Sequence, residues 1–244
     1  MSSGSDADDW EGKYASEDDE NFTDFNTKFA QQSIKAEKPA VKIVDGSSSK
    51  SDKRIVPHLD ISDNPGEVFV TRFSPDGGLL AAGCGDGAVR VFHTETGRLS
   101  YNLNVTSANG LPTTAIAFRP TTGASKTRNV LLAVNSDGSV QHWHVTSGRC
   151  LHEIRDENNP LLTVDYNPDG SKFATAGRDS SIRIYDEATK TEISTMKGGM
   201  MSTQKPLDVS LGHSNRVFSL KFCPFDDNFV VSGGWDNTVQ IWDT

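Results

Sequence analysis

The segment Val231-Ser232-Gly233-Gly234-Trp235-Asp236-Asn237-Thr238-Val239-Gln240-Ile241-Trp242-Asp243 sets the pattern for most of the chain. Two apolar runs flank a Gly-Gly turn that carries Asp236, and the second run closes on Trp242-Asp243. Runs of Val, Ile, Thr and aromatic residues on either side of such a turn are typical of a β-hairpin. We therefore expect an antiparallel pair of strands here.

Three more copies of this unit lie upstream, and they align on turn aspartates at intervals of 51, 42 and 57 residues: Asp86, Asp137, Asp179 and Asp236. Six residues after each aspartate stands an aromatic residue: Phe92, Trp143, Tyr185 and Trp242. Apolar residues recur three and five positions after each aspartate, except where His142 takes one of these places. A repeat of this period indicates a propeller or a solenoid built from small antiparallel sheets.

These residues resemble the WD-repeat (WD40) β-propeller family. Trp242-Asp243 matches the family's signature dipeptide, and Gly212-His213 matches its Gly-His pair. The resemblance covers roughly residues 62–244 and is most specific in the last repeat. It implies an all-β propeller with four recognisable blades, at about 62–103, 104–154, 155–196 and 208–244. In the last blade it implies a structural hydrogen-bond relay that joins the strands through His213, Ser232, Asp236 and Trp242.

The other three copies keep the turn aspartate but lose parts of this relay. Ala82 and Ala133 replace the hydroxyl residue in the first two copies, and in the third the histidine position falls near Glu157. We expect Asp86, which has no relay partners in the sequence pattern, to contribute less to stability than Asp236.

The blade count predicts a partial ring. Propellers usually have four to eight blades, and the last repeat reaches Thr244 after its third strand. The segment 53–61 reads as an extended edge strand. We expect exposed strand edges, an exposed blade face and a parent protein with more blades.

Residues 1–52 differ in composition from the body at 53–244. They contain twelve acidic and six basic residues, within a chain whose net charge is −9. Such a segment buries too little apolar surface to offset its chain entropy, so we expect a disordered acidic tail and linker. Phe22, Phe25 and Phe29 share one face of a notional helix. Two interpretations remain open: a short motif that folds on a partner protein, or a solvated tail with scattered aromatics.

Two longer connections, at 121–129 and 197–207, depart from the minimum repeat. Inserted loops on a rigid scaffold are common binding sites. Met200 and Met201 are candidate apolar contacts with a partner. The alternative is that both insertions are tolerated loops without a role.

Composition argues against several classes of protein. The body carries 21 acidic and 18 basic residues, so we expect no nucleic-acid partner. Three widely spaced cysteines predict neither a disulfide framework nor a structural zinc site. No apolar run reaches the roughly 18 residues needed to span a membrane, and no secretory signal is evident. We expect a protein of the cytoplasm, the nucleus or both.

Three sets of residues resemble catalytic, phosphate-binding or metal sites by residue type. Ser232, His213 and Asp236 match a hydrolase triad by residue type, but the family resemblance gives them a structural role. The glycine-rich run 83–87 precedes a strand rather than the helix that would bind phosphate. His142 and His144 flank Trp143, and we interpret them as surface imidazoles rather than as metal ligands. The sequence thus predicts no catalytic, cofactor-binding or metal site.

The resemblance implies a non-catalytic scaffold or adaptor that docks partner proteins or peptides on its loop faces to assemble a complex. Two alternatives remain: a non-catalytic part of a larger enzyme or regulatory chain, and a gene remnant without function. Fold alone does not select among these, and the sequence leaves the oligomeric state open.

Overall fold

The computed structural model describes residues 59–62, 64–104, 110–121, 129–197 and 212–244. The predicted tail at 1–52 lies outside them, so the division of the chain into tail and propeller stays a prediction. Within the described ranges every regular element is a β-strand. This agrees with the all-β fold expected from the repeat.

In the described ranges, fifteen strands form four antiparallel sheets, which we call blades 1 to 4. Blade 1 contains β1 (Val68–Phe73), β2 (Leu79–Cys84), β3 (Val89–His93) and β4 (Leu99–Leu103). Blade 2 contains β5 (Thr113–Phe118), β6 (Val130–Asn135), β7 (Ser139–His144) and β8 (Arg149–Arg155). Blade 3 contains β9 (Leu161–Tyr166), β10 (Lys172–Gly177), β11 (Ile182–Asp186) and β12 (Glu192–Met196). Blade 4 contains β13 (Val217–Cys223), β14 (Asp226–Gly234) and β15 (Val239–Asp243).

Each blade is a meander in which sequential strands pair with one another. The central hairpin turns in the same place in all four blades, because the residue after each turn aspartate has a positive φ. Gly87 and Gly138 hold this position in blades 1 and 2. Ser180 and Asn237 hold it in blades 3 and 4, with φ values of 63° and 62°. Glycine therefore supplies this conformation in two of the four hairpins.

The core lies between the blades. Each blade presents small and branched residues to the following blade, which covers them with larger side chains. Between blades 1 and 2, Ala81, Val89 and Val91 pack with Ile116 and Trp143. Equivalent clusters join blade 2 to blade 3 and blade 3 to blade 4. A single blade cannot bury both of its faces, so this stacking supplies most of the hydrophobic stabilisation.

The first strand of each blade lies innermost. Strands β1, β5, β9 and β13 follow one another around a common space, which side chains from all four line. The predicted edge strand at 53–61 is not seen where it is described: Leu59, Asp60 and Ile61 have no strand pairing. The rest of that segment lies outside the described residues. Leu59 instead lies against Gly97, in the β3–β4 turn.

Candidate functional site: a polar relay, a buried ion cluster and an exposed aromatic surface

The structure brings His213, Ser232, Asp236 and Trp242 together in blade 4. The Trp242 indole donates to Ser232 Oγ at 2.7 Å, and Ser232 Oγ lies 2.7 Å from His213 Nε2. His213 Nδ1 lies 2.9 Å from Asp236 Oδ2. Since an indole N–H only donates, the bonds run in one direction when Ser232 donates to His213 Nε2 and His213 Nδ1 donates to Asp236.

Asp236 is the acceptor at the end of this chain. Although burial alone raises the pKa of its carboxyl, donors on three sides hold that pKa well below its usual range. These donors are the Ser214 amide, the His213 imidazole and the amide and hydroxyl of Thr238. The carboxylate thus ties the segment before β13 to the β14–β15 turn.

The relay has the connectivity of a hydrolase triad but not its accessibility. Ser232 and His213 are 2 % and 1 % exposed. The Ser232 oxygen already accepts the Trp242 N–H. A nucleophile needs an open approach to the substrate carbon, and this hydroxyl has none. The arrangement is suited to holding three strands together.

All four turn aspartates accept the backbone amide two residues further along the chain. The distances are 3.2 Å for Asp86, 2.9 Å for Asp137, 3.0 Å for Asp179 and 3.1 Å for Asp236. This local bond stabilises a tight turn whatever the rest of the blade contains. It explains why the aspartate persists where the histidine does not.

Asp86 has a partner of another kind, which the sequence pattern did not indicate. Arg90, four residues on, donates to both Asp86 oxygens, at 3.1 and 2.5 Å. This ion pair lowers the Asp86 pKa. Blade 3 uses the same device, because Arg183 lies 2.6 Å from Asp179 and 3.0 Å from Asp156. An arginine on the third strand thus supplies the donor that His213 supplies in blade 4.

Blade 2 has a relay of its own, built from other residue types. Thr113 donates to Asn135 Oδ1 at 2.9 Å, and Asn135 Nδ2 donates to Ser139 Oγ at 2.9 Å. Ser139 in turn donates to Asp137 at 2.6 Å. In blade 3 the expected histidine position, Glu157, is exposed. The buried residue there is Asn159, whose Oδ1 accepts the Asp179 amide at 3.0 Å.

A buried ion cluster between blades 2 and 3 was not predicted. The Glu187 carboxylate, in the turn after β11, lies 3.2 Å from Arg119 Nη1 and 2.7 Å from Lys190 Nζ. Its second oxygen lies 3.3 Å from His142 Nε2. Burial by itself raises the pKa of Glu187, but His142 and Lys190 outweigh it and lower that pKa to about 2.

The prediction that His142 is a surface imidazole is therefore wrong. His142 is 1 % exposed and lies edge-on to Phe173, with 5.2 Å between ring centroids. Burial lowers its pKa, so the ring is neutral near pH 7. The signal for this site was present in the sequence, because His142 breaks the apolar pattern of the third strand. The buried carboxylate facing it, 45 residues away, gave no signal.

An exposed aromatic surface lies where the innermost strands begin. A β-bulge near the start of each of these strands shifts the register, and Phe69, Thr114, Leu162 and Phe218 lie at the start of β1, β5, β9 and β13. All four side chains line the mouth of the central space. Trp235, in the β14–β15 turn, packs edge-on against Phe218 at 5.3 Å. The Arg216 guanidinium lies 5.6 Å above the Trp235 ring. We call Phe69, Arg216, Phe218 and Trp235 the mouth surface.

Phe22, Phe25, Phe29, Met200 and Met201 fall outside the described residues. Across the described ranges, no group of three or more His, Cys, Asp or Glu residues has the arrangement of a metal site. Nor does that part of the chain contain a helix long and apolar enough to cross a bilayer.

Family models match more than half of the chain. The model described as "WD domain, G-beta repeat" matches residues 148–186 and 204–243. A second model, "Anaphase-promoting complex subunit 4 WD40 domain", matches residues 49–121. The first of these covers the hairpins of blades 3 and 4, and the second covers blade 1.

Curated relatives share this repeat at modest identity. Ribosome biogenesis protein YTM1 of Scheffersomyces stipitis is 27 % identical over 111 residues, which are 46 % of this chain and 22 % of that protein. The periodic tryptophan protein 2 homolog of Dictyostelium discoideum is 28 % identical over 173 residues, 70 % of this chain and 16 % of that protein. Cell division cycle 20.1, cofactor of APC complex, of Arabidopsis thaliana is 27 % identical over 143 residues. The match covers 46 % of this chain and 31 % of that protein. The matched part thus spans a third or less of each relative.

A solved structure shares the fold. It is a chain in the crystal structure of a mitotic checkpoint complex, with a TM-score of 0.59 and 19 % identity. The match covers 75 % of this chain and 49 % of that one. The matched family models, the repeat shared with the relatives and the common architecture all point to the same family. The chain belongs to the WD-repeat (WD40) β-propeller family.

Proposed function

We propose that this chain is a non-catalytic interaction scaffold that docks partner proteins or peptides on the mouth surface. The observation that carries the proposal is a solvent-facing cluster of large side chains on rigid strands. Trp235 is 59 % exposed and packs on Phe218, which is 48 % exposed. Phe69, 56 % exposed, lines the same central space as Phe218.

The residue types in this cluster suit protein recognition. Trp, Phe and Arg are enriched in protein interfaces relative to the remaining surface, and Trp and Arg dominate binding hot spots. Packing between Phe218, Trp235 and Arg216 restrains these side chains before any partner arrives. Less side-chain entropy is then lost on binding. Rigid strands hold the cluster in place, as expected of a docking surface.

The polar residues support a role without catalysis. The Ser232 hydroxyl is closed to substrate, and the hydrogen bonds of His213 and Asp236 are directed within the blade. The Glu187 cluster is buried between two blades. These groups join strands and blades, and they leave the exposed chemistry to aromatic and cationic side chains.

The relatives' names support a place in protein assemblies. They include a ribosome biogenesis protein, a cofactor of the APC complex and a subunit of a target of rapamycin complex. The solved neighbour is part of a checkpoint complex. We extend the proposal to partners that are proteins and to action in the cytoplasm, the nucleus or both. Because the match spans a third or less of each relative's length, a larger enzyme or regulatory chain that contains these blades remains the alternative.

The mouth surface is tested by affinity capture and mass spectrometry with the full chain. A double variant, Phe218→Ala with Trp235→Ala, is expected to lose specific partners, because it removes the exposed aromatic surface and touches little of the core. The control is Phe225→Ala, which removes an even more exposed aromatic from the β13–β14 turn. An unchanged partner set for the double variant would overturn the proposal.

The tail is tested separately, since its candidate contacts lie outside the described residues. A chain lacking residues 1–52 is compared with the intact chain in the same capture. A partner that is captured by neither the tail deletion nor the double variant would need both the tail and the mouth surface for binding. Identical partner sets with and without the tail would remove Phe22, Phe25 and Phe29 as contacts.

A further inference from the structure

The mouth of the central space is built in the same way in each blade. The residue before the turn aspartate donates its amide, at 2.8 to 3.0 Å, to a carbonyl two residues ahead of the side chain that lines the mouth. The four pairs, from donor to acceptor, are Gly85 to Glu67, Ser136 to Pro112, Arg178 to Pro160 and Trp235 to Arg216. Arg178 therefore occupies in blade 3 the place that Trp235 occupies in blade 4.

The charges at these positions are unevenly distributed. Glu67 of blade 1 is the single carboxylate among them, and Arg178 and Arg216 of blades 3 and 4 are exposed cations. Within the described part of the chain, neither guanidinium lies within ion-pair distance of a carboxylate, whereas Arg90 and Arg183 pair with their turn aspartates. Blades 3 and 4 thus present two positive charges beside exposed aromatic side chains.

The turn aspartates next to these cations are directed into their own blades. Asp179 accepts from Arg183 at 2.6 Å, and Asp236 accepts from donors within blade 4. A bound ligand can therefore supply the carboxylates that exposed guanidinium groups attract. Since aromatic side chains lie beside the guanidinium groups, this part of the mouth is complementary to a peptide in which acidic and aromatic residues stand close together.

The chain contains such a peptide in its own sequence. Residues 17–29 include five acidic residues, one lysine and three phenylalanines, which are Phe22, Phe25 and Phe29. The acidic run 17–20 comes directly before the phenylalanines. This segment lies outside the described residues, so the comparison rests on its sequence. Its net charge is opposite to that of the two arginines, and its apolar side chains are of the type that packs on Phe218 and Trp235.

The chain between this segment and blade 1 is long enough for contact. Leu59 lies against Gly97, in the β3–β4 turn, at the opposite end of β3 from the mouth. A strand of this length spans about 20 Å. Residues 30–58, which separate Phe29 from Leu59, can extend over roughly 100 Å. A covalently attached ligand also has an effective concentration on the order of 1 mM, so a weak contact is populated.

We propose that residues 17–29 dock, within the same chain, on the mouth surface of blade 4 and on Arg178 of blade 3. The two arginines bind the acidic run, and Phe218 and Trp235 pack against the phenylalanines. The docked segment covers the surface on which partner proteins are proposed to bind, so a partner has to displace it. The inference rests on the proposed function for this competition but not for the contact itself.

The contact is tested by photo-crosslinking in the full 244-residue chain, with benzoylphenylalanine in place of Phe25. Cross-links mapped by mass spectrometry are expected within single chains and on peptides that contain Phe218 or Trp235. The control places the same probe at Ile43, in the tail but outside residues 17–29, and is expected to show no preference for the mouth. Cross-links scattered over all four blades would overturn the proposal. Cross-links formed only between two copies would contradict docking within one chain.

The charge complementarity is tested with the same probe at Phe25. Arg178→Glu is expected to lower the yield of mouth cross-links by roughly two- to fivefold, the effect of losing one exposed ion pair. Arg98→Glu is the matched control, because it makes the same change at an exposed arginine in the β3–β4 turn, away from the mouth. Equal yields from the two variants would show that the arginine of blade 3 does not bind the tail.

Competition with partners is tested by affinity capture with the triple variant Phe22→Ala, Phe25→Ala and Phe29→Ala. Partners that the Phe218→Ala, Trp235→Ala variant loses are expected in larger amounts, because the mouth surface is no longer covered. Unchanged amounts would contradict competition. If the Phe218→Ala, Trp235→Ala variant loses no partner but the cross-links reach the mouth, the proposed function fails and the docking of the tail stands.

Discussion

At the scale of single residues, the turn aspartate does two separable jobs. It closes its own hairpin by accepting an amide two residues on, and it anchors a polar contact to another strand or segment. The first job needs only the aspartate, which is why it recurs in every blade. The second needs a donor, and the blades supply different ones: Arg90, Ser139, Arg183 and His213. Electrostatic complementarity can be met by any buried donor at the right distance.

The relay of blade 4 yields a prediction about stability. His213→Ala removes the acceptor of Ser232 and one donor to Asp236, so two buried groups lose a partner. We expect the free energy of unfolding to fall by ~1–3 kcal/mol, measured by urea denaturation.

His93→Ala is the control for this prediction, since His93 is exposed at the end of β3. Its effect is expected to stay within about 0.5 kcal/mol. Equal losses for the two variants would contradict a stabilising role for the relay.

At the scale of elements, the central hairpins connect their own blade to the next. Gly138 lies in the β6–β7 turn of blade 2, and its carbonyl oxygen accepts a hydrogen bond from the Asp156 amide at 2.8 Å. A Cβ at this position would lie 2.1 Å from the Asp156 carbonyl oxygen. The turn and the connection to blade 3 are therefore in direct backbone contact, which only glycine permits.

Gly138→Ala is expected to be strongly destabilising. Its φ of 85° already disfavours alanine, and the Asp156 backbone would have to move away from the new methyl group. Left-handed strain alone costs about 1–2 kcal/mol, so we expect a loss above ~2 kcal/mol in urea denaturation.

The matched control is Gly148→Ala, in the β7–β8 turn of the same blade. Gly148 has a similar conformation, with φ of 64°, but no atom lies within 4 Å of a Cβ built there. Gly148→Ala should therefore show the cost of the left-handed backbone without a clash between the new methyl group and a neighbouring atom. If Gly148→Ala were as costly as Gly138→Ala, contact between turn and connection would not be the cause.

At the scale of the whole molecule, the blades are held together by apolar stacking and, between blades 2 and 3, by buried charge. Glu187 and Arg119 have side chains 6 % and 7 % exposed and come from different blades. A buried carboxylate is tolerated only when cations or donors surround it. Arg119, Lys190 and His142 do so here.

This cluster predicts a stability that depends on pH. The pKa of Glu187 is about 2 in the folded chain and near 4.5 when unfolded. Its contribution is therefore fully present above about pH 5 and is lost as pH falls towards 2. The depression corresponds to something on the order of 3 kcal/mol.

The test is urea denaturation of the wild type and of Glu187→Gln at several pH values between 6 and 2. The variant is expected to be less stable at pH 6 and to lose less stability on acidification. Parallel curves for the two proteins would show that another carboxylate governs the acid transition.

Much of the fold was predictable because it rests on local patterns that repeat. Hairpin turns, alternating apolar residues and aromatic positions are fixed by neighbours within a few residues, and four copies confirmed one another. The Gly212-His213 and Trp242-Asp243 motifs placed the relay residues on one blade. The edge strand at 53–61 was not found where it is described, because an apolar segment forms a strand only if a partner edge accepts it.

The candidate sites depended on contacts that no local pattern contains. Arg90 and Arg183 could be seen as charged residues of a strand but not as partners of the aspartates four residues before them. Glu187 could be read only as a turn residue. The mouth surface gathers Phe69 and Phe218, which line one space but lie far apart in the chain.

The sequence by itself determined the class of fold and the hairpin turns, because both follow from short-range spacing and residue type. Its resemblance to the WD-repeat family implied the hydrogen-bonding residues of the last blade. Only the tertiary structure decided which polar groups are buried together and which donor each aspartate uses. The physical reason is that burial and charge pairing depend on how blades stack. His142 shows this most clearly: its position on a strand is local, but its burial and its contact with Glu187 exist only once blade 3 covers blade 2.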